Sequence, residues 1–193
     1  MVESGFSAEE NGFAAGAIIQ NSDPELYALV SFEWDMENDA GERVSGSQSQ
    51  WGYTQITIGP DEERTVGIGG DVTHDFDASE VEDVGVPVTI LDWYSEEPDT
   101  YTDLNSDGFQ ISECGNPGHG KVQCRLSGSD VEPGLPLTGS VVWWGENGIL
   151  GGAQIALAGQ TSPGEFWQYV EVHVPDELAD EFLSAEAKEF HLG

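Results

Sequence analysis

An all-β protein made of two consecutive antiparallel sandwiches is what the sequence predicts, and three observations predict it. First, in "LYALVSFEWDMENDAGERV" the residues Ala28, Val30, Phe32, Trp34 and Met36 share one parity, while Leu29, Ser31, Glu33, Asp35 and Glu37 share the other. A period of two marks a strand with one face on a core and one in water. Second, the alternation ends at Asp39-Ala40-Gly41, with glycine where a three-residue hairpin needs a positive φ. Third, the same plan returns later: "LTGSVVWWGENGILGG" runs into Glu146-Asn147-Gly148. The steps from Asn21 to Gly41 and from Gly128 to Gly148 are both 20 residues. Recurrence of turn punctuation together with alternation points to a repeated β-unit.

Taken in order, "GFAAGAIIQNSD" reads as a strand ending in Asn21, followed by the long alternating strand and its hairpin. The chain then returns through Ile56 and Ile58, turns at Gly59-Pro60, and alternates again through Val66 and Ile68. "VPVTILDWY", with Val86, Val88, Ile90 and Asp92 on one parity, reads as the last strand of the first unit. The polar stretch "SEEPDTYTDLNSDG" follows as a linker. In the second unit "AQIALAG" precedes a Pro163-Gly164 turn, after which Phe166, Gln168, Val170, Val172 and Val174 alternate. "PDELADEFLSAEAKEF" predicts one helix over about 176–188, with Leu178, Phe182 and Ala185 on one face and acids in the first turn, where the helix dipole favours them. Strands of this length with frequent turns predict immunoglobulin-like sandwiches, one over residues 1–98 and one over 99–193.

Within 193 residues there are 37 Asp and Glu against five Lys and Arg, a net charge of −32. Residues 1–98 hold 22 acids and two bases, and 99–193 hold 15 acids and three bases, so the acidity is spread over both halves. Such a field repels phosphate backbones and anionic lipid, which argues against nucleic acid and membrane surfaces as partners. Adaptation to high salt and export from a bacterium are both consistent with it. No run approaches the roughly 20 apolar residues of a membrane span. The polar opening "MVESGF" lacks the basic and apolar regions of a signal peptide, so an exported protein would be represented here by its mature portion.

Cys114 and Cys124 flank the turn-rich "GNPGHGKVQ" and are expected to face each other across a hairpin as a disulfide; two reduced, buried thiols are the alternative.

The two similar units, with the opening "GFAAGAIIQNSD", the hairpins and the Pro-Gly turn, resemble the FxLYD domain family of bacterial cell-envelope proteins. The likeness covers roughly residues 12–70 and 118–174. At the stretch that gives the family its name this chain reads "FEWDMENDAG" in the first unit and "VVWWGENG" in the second. The resemblance implies an exported or lipid-anchored protein of a Gram-positive, actinobacterial type, extracellular or at the cell surface, with a non-enzymatic role. It carries over no catalytic residue.

Candidate chemistry is sparse. In "TDLNSDGFQISEC" the residues Asp103, Asn105 and Asp107, followed by Gly108, have the spacing of the first half of a calcium loop. Position 12 is Cys114, and Glu113 stands one residue early. Glu96, Glu97 and Asp99 are the acids that could complete a shell. Asp and Asn also build polar bends through their own backbone, and that plainer reading stands beside the calcium site. His74, Asp75, Asp77 and His119 show no convergent ligand set for a transition metal. No G-x-S-x-G elbow is present, and no catalytic role is assigned. Aligning Gly148 with Gly41 turns Trp143 inward and Trp144 outward, which makes Trp144 a candidate ligand- or partner-binding aromatic, with packing against a neighbouring unit as the alternative. Trp51, Trp93 and Trp167 are not placed by that alignment. The expected function is a non-catalytic interaction or assembly module of a bacterial cell envelope, its partner a protein or a glycan, with no resident cofactor unless calcium. The alternative is a carbohydrate- or calcium-binding accessory module of a secreted enzyme.

Overall fold

Alternating strands of this kind bury one row of side chains, and the inward row of the first alternating segment is buried throughout: Ala28, Val30, Phe32, Trp34 and Met36 all lie in the hydrophobic interior. The structure is a computed structural model describing residues 3–9, 12–44, 54–70, 77–98, 109–118, 121–128, 137–157, 166–174, 176–185 and 187–192. Its strands are β1 (Glu3–Glu9), β2 (Gly12–Gln20), β3 (Tyr27–Phe32), β4 (Asp35–Glu37), β5 (Thr54–Ile58), β6 (Glu63–Gly70), β7 (Asp83–Gly85) and β8 (Val88–Tyr94). They continue with β9 (Phe109–Gly115), β10 (Lys121–Gly128), β11 (Leu137–Gly145), β12 (Gly148–Leu157), β13 (Phe166–His173) and, after the helix α1 (Ala179–Ser184), β14 (Ala187–Leu192). The fold is all-β and sandwich-like, with antiparallel sheets and, among the described residues, one short helix.

The strand orders of the two halves match. In the first half the sheets run β1-β2-β6 and β5-β3-β8; in the second they run β9-β10-β13 and β12-β11-β14. Each of these strands therefore has a counterpart at the same place in the other half. A small two-stranded sheet, β4-β7, extends the β3–β8 pairing beyond Glu33 and Pro87, whose backbone groups meet at 3.4 Å. Two hydrophobic clusters form, the second of which also takes in Ala14 of β2 from the first half. The first contains Phe13, Val30, Phe32, Trp34, Met36 and Val66; the second contains Val122, Leu126, Val141, Trp143, Val172 and Phe182.

The expected helix over 176–188 is shorter in the structure. A 3₁₀ turn over Asp176–Leu178 leads into α1, and Ala187–Leu192 forms β14 instead. The helix has no basic residue in its last turn to offset the dipole there. Pairing along β11 from Gly139↔Leu192 to Trp144↔Ala187 completes the sheet, and this tertiary pairing overrides the helical periodicity. The first half carries a corresponding 3₁₀ turn before its own last strands, Ala78–Glu80, capped by Asp77.

Strand β8 is found where expected but with a different exposure. Its pairing with β3 shifts between Leu29 and Val30, opposite Asp92 and Ile90, so Leu91 is an extra residue. Because β8 also lies at the sheet edge, Ile90 is exposed despite its inward parity.

Candidate functional site

Strand β10 alternates without a fault: Val122, Cys124 and Leu126 are buried, and Lys121, Gln123, Arg125 and Ser127 point away from the core. Its neighbour β13 has the same parity. Val170 and Val172 are buried, which turns Trp167, Tyr169 and Glu171 to the outer face. The antiparallel register sets Gln123 opposite Glu171, Arg125 opposite Tyr169 and Ser127 opposite Trp167. Directly opposed residues lie on one face and touch, so these side chains form a continuous surface.

Two large aromatics stand open on that surface. Trp167 is 55% exposed and Tyr169 54% exposed. Their ring centroids are 5.7 Å apart at an interplanar angle of 79°, an edge-to-face pair. The guanidinium of Arg125 sits 5.2 Å from the Trp167 ring centroid, within cation–π range. Carboxylates hold the two cations of the face. Arg125 Nη1 donates to Glu113 Oε1 at 3.2 Å, and Lys121 Nζ donates to Glu171 Oε2 at 3.4 Å. Gln123 Nε2 donates to the other Glu171 oxygen at 2.8 Å. The result is a flat, polar-rimmed face with one indole ring and one phenol ring presented to solvent.

The disulfide belongs to the same sheet. Cys114 of β9 and Cys124 of β10 are bonded, with Cα atoms 4.0 Å apart, as their spacing predicts. The β9–β10 register shifts between Gln123 and Arg125, and at this bulge Glu113 takes φ 51°, a left-handed conformation uncommon for a non-glycine residue. The bulge accompanies the reach of Glu113 to Arg125. Glu113 is thus engaged in an ion pair on the aromatic face.

Asp103, Asn105 and Asp107 lie outside the described residues, as do His74, Asp75, Asp99, His119 and Trp51. Glu96 and Glu97 are exposed just past β8. Asp77 caps a turn: it accepts from the Ser79 backbone N–H at 3.0 Å and from the Ser79 hydroxyl at 2.6 Å. Among the described residues no group of three His, Cys, Asp or Glu side chains is arranged to hold a metal ion. In β11, Trp143 is buried and packs on Phe182 with ring centroids 5.8 Å apart, whereas Trp144 is half-buried on the other face, opposite Ile149 and Ala187, and that face is itself covered at Val142, which is fully buried. The sequence alone left Trp167 unplaced and did not single out Tyr169. The signal that could have found them is the inward row Val170-Val172-Val174, which places them outward. Comparison with protein-family models, curated proteins and solved structures finds no match to this chain.

Proposed function

We propose that the protein is a non-catalytic interaction module acting outside the cytoplasm, in a bacterial cell envelope, and that the outer face of β9-β10-β13 binds neutral polysaccharide. The observation that carries this is the pair Trp167 and Tyr169, both more than half exposed on one sheet face beside hydrogen-bonding Gln123, Glu171 and Arg125. Adjacent exposed apolar rings with a polar rim mark an interaction surface, unlike apolar residues scattered singly. An indole face matches the apolar face of a pyranose ring, and amide, carboxylate and guanidinium groups around it match sugar hydroxyls.

Electrostatics narrows the ligand. Lys121 and Arg125 are already paired with Glu171 and Glu113, and the chain carries a net charge of −32. An anionic polymer would meet a repulsive field, and among the described residues of this face no unpaired cation stands ready to hold it. A neutral saccharide meets no such penalty.

An exported setting is supported by the Cys114–Cys124 disulfide, since such bonds persist in oxidising compartments. Among the described residues no helix is long and apolar enough to cross a membrane. The envelope assignment rests on the repeated unit and its likeness to cell-envelope domains.

Affinity electrophoresis through cellulose derivatives, starch, mannan and polygalacturonate tests the proposal. Retardation is expected on at least one neutral polymer and not on polygalacturonate. Trp167→Ala is expected to weaken retention about tenfold, equivalent to about 1.4 kcal/mol. Absence of retardation on every neutral polymer, or retention unaffected by both Trp167→Ala and Tyr169→Ala, would overturn it.

A further inference from the structure

A second surface, in the other half of the chain, has a different character. Strand β8 pairs with β3 on one side, and among the described residues no strand lies beyond it. Its register places Val88 opposite Phe32, Ile90 opposite Val30 and Trp93 opposite Ala28. Phe32, Val30 and Ala28 belong to the buried interior, and directly opposed residues share a face. Val88, Ile90 and Trp93 therefore continue the inward row of the sheet. Yet Ile90 is 52% exposed and Trp93 42% exposed. The row that should be covered is open at this edge, as it would be if the sheet lacked one strand.

An open edge offers unpaired backbone N–H and C=O groups together with an uncovered apolar row, which is how a sheet accepts an added strand. We infer that the free edge of β8 docks an extended, positively charged segment of a partner protein, which pairs along Val88–Leu91 and lays its own alternate apolar residues over Ile90 and Trp93. The charge of the partner follows from the surroundings. Residues 77–98 contain seven Asp and Glu and no Lys or Arg. Asp92, Glu96, Glu97, Glu82 and Asp83 are all exposed around this edge. A second copy of the chain brings another −32 to the contact and is repelled. The extra residue at Leu91, and the Asp92 carboxylate accepting the Trp93 N–H at 2.8 Å, interrupt the far end of the edge. The docked strand is therefore short and its register is set.

The test uses the full chain in low salt, titrated with a blocked alternating valine–lysine octapeptide and with its valine–glutamate counterpart, followed residue by residue through backbone amide NMR signals. Expected are binding of the valine–lysine peptide alone, shifts and slowed amide exchange concentrated in β8, and about tenfold weaker binding in Ile90→Ser and Trp93→Ser. Both residues are exposed, so the substitutions leave the interior intact, and Trp167→Ala is expected to bind the peptide as the parent does. Equal binding of the two peptides, shifts on β10 and β13 instead of β8, no binding at millimolar peptide, or concentration-dependent self-association through β8 would each overturn the inference. Because the readout separates β8 from β10 and β13 residue by residue, failure here is distinguishable from failure of polysaccharide binding.

Discussion

Asn21 shows how much one buried side chain can organise. It is 4% exposed, and its amide nitrogen lies within hydrogen-bond distance of three carbonyls: Leu26 at 2.7 Å, Gly59 at 2.8 Å and Ile58 at 3.2 Å. Its carbonyl oxygen accepts from the Asp23 N–H at 3.0 Å. One residue thereby joins the end of β2, the entry to β3 and the β5–β6 turn. Asn21→Ala is expected to destabilise by about 1–3 kcal/mol, because it strands buried carbonyls without a donor. Asn21→Asp is expected to cost more, since a carboxylate would face those same oxygens. Urea unfolding of the two variants beside the parent checks the order. The sequence marked Asn21 as a turn residue, which follows from its local chemistry; two of its three acceptors come from the distant β5–β6 turn and could not be read there. The same holds at Glu113. Its place one residue before position 12 of the loop that starts at Asp103 made it a candidate calcium ligand, and only the bulge in β9 explains why it meets Arg125.

At the scale of elements, the sheet β1-β2-β6 serves both halves. One face of β2 presents Phe13, Ala15, Ala17 and Ile19 to the first cluster, while Ala14 on the other face belongs to the second. That second face packs on β11 and β12 through small residues, and Ser7 Oγ donates to the Leu150 carbonyl at 2.6 Å across the contact. A Cβ added at Gly67 would stand 2.7 Å from the backbone atoms Ala153 N and Val141 O, closer than carbon tolerates. Gly67→Ala must therefore push the two sheets apart, and a loss of about 1–3 kcal/mol is expected from the denaturation midpoint. Gly115→Ala is the control, since a Cβ there meets nothing within 4 Å, and it is expected to unfold close to the parent. Glycines inside strands signal close approach of another backbone, so "TVGIGG" held a trace of this seam. What approaches was not legible, because the facing strands β11 and β12 lie far along the chain, in the other half. The helix over 176–188 failed for a related reason: helical spacing is a local property, whereas residues 187–192 gain a full row of pairing with β11.

For the whole molecule, charge dominates. With 37 carboxylates and five basic groups, self-repulsion opposes the compact state at low ionic strength. Screening length falls from about 30 Å at 0.01 M to about 3 Å at 1 M salt. The thermal midpoint is accordingly expected to rise as potassium chloride increases from millimolar to molar; a midpoint independent of salt in calorimetry would contradict a repulsion of this size. Composition was sufficient for this expectation, and spacing was sufficient for the all-β class, the hairpins closed by Gly41 and Gly148, the inward rows and the Cys114–Cys124 bond. These are properties of neighbours along the chain: a period of two states which side chains share a face, and a short turn states which segments meet. Only the tertiary structure decided what lies against the opposite face. It covered the outward row of β2 with the second half, left Trp167 and Tyr169 open on β13, half-buried Trp144, and uncovered the inward row of β8. Parity is a local quantity, but burial depends on whatever arrives from elsewhere, and that is determined when distant strands pack.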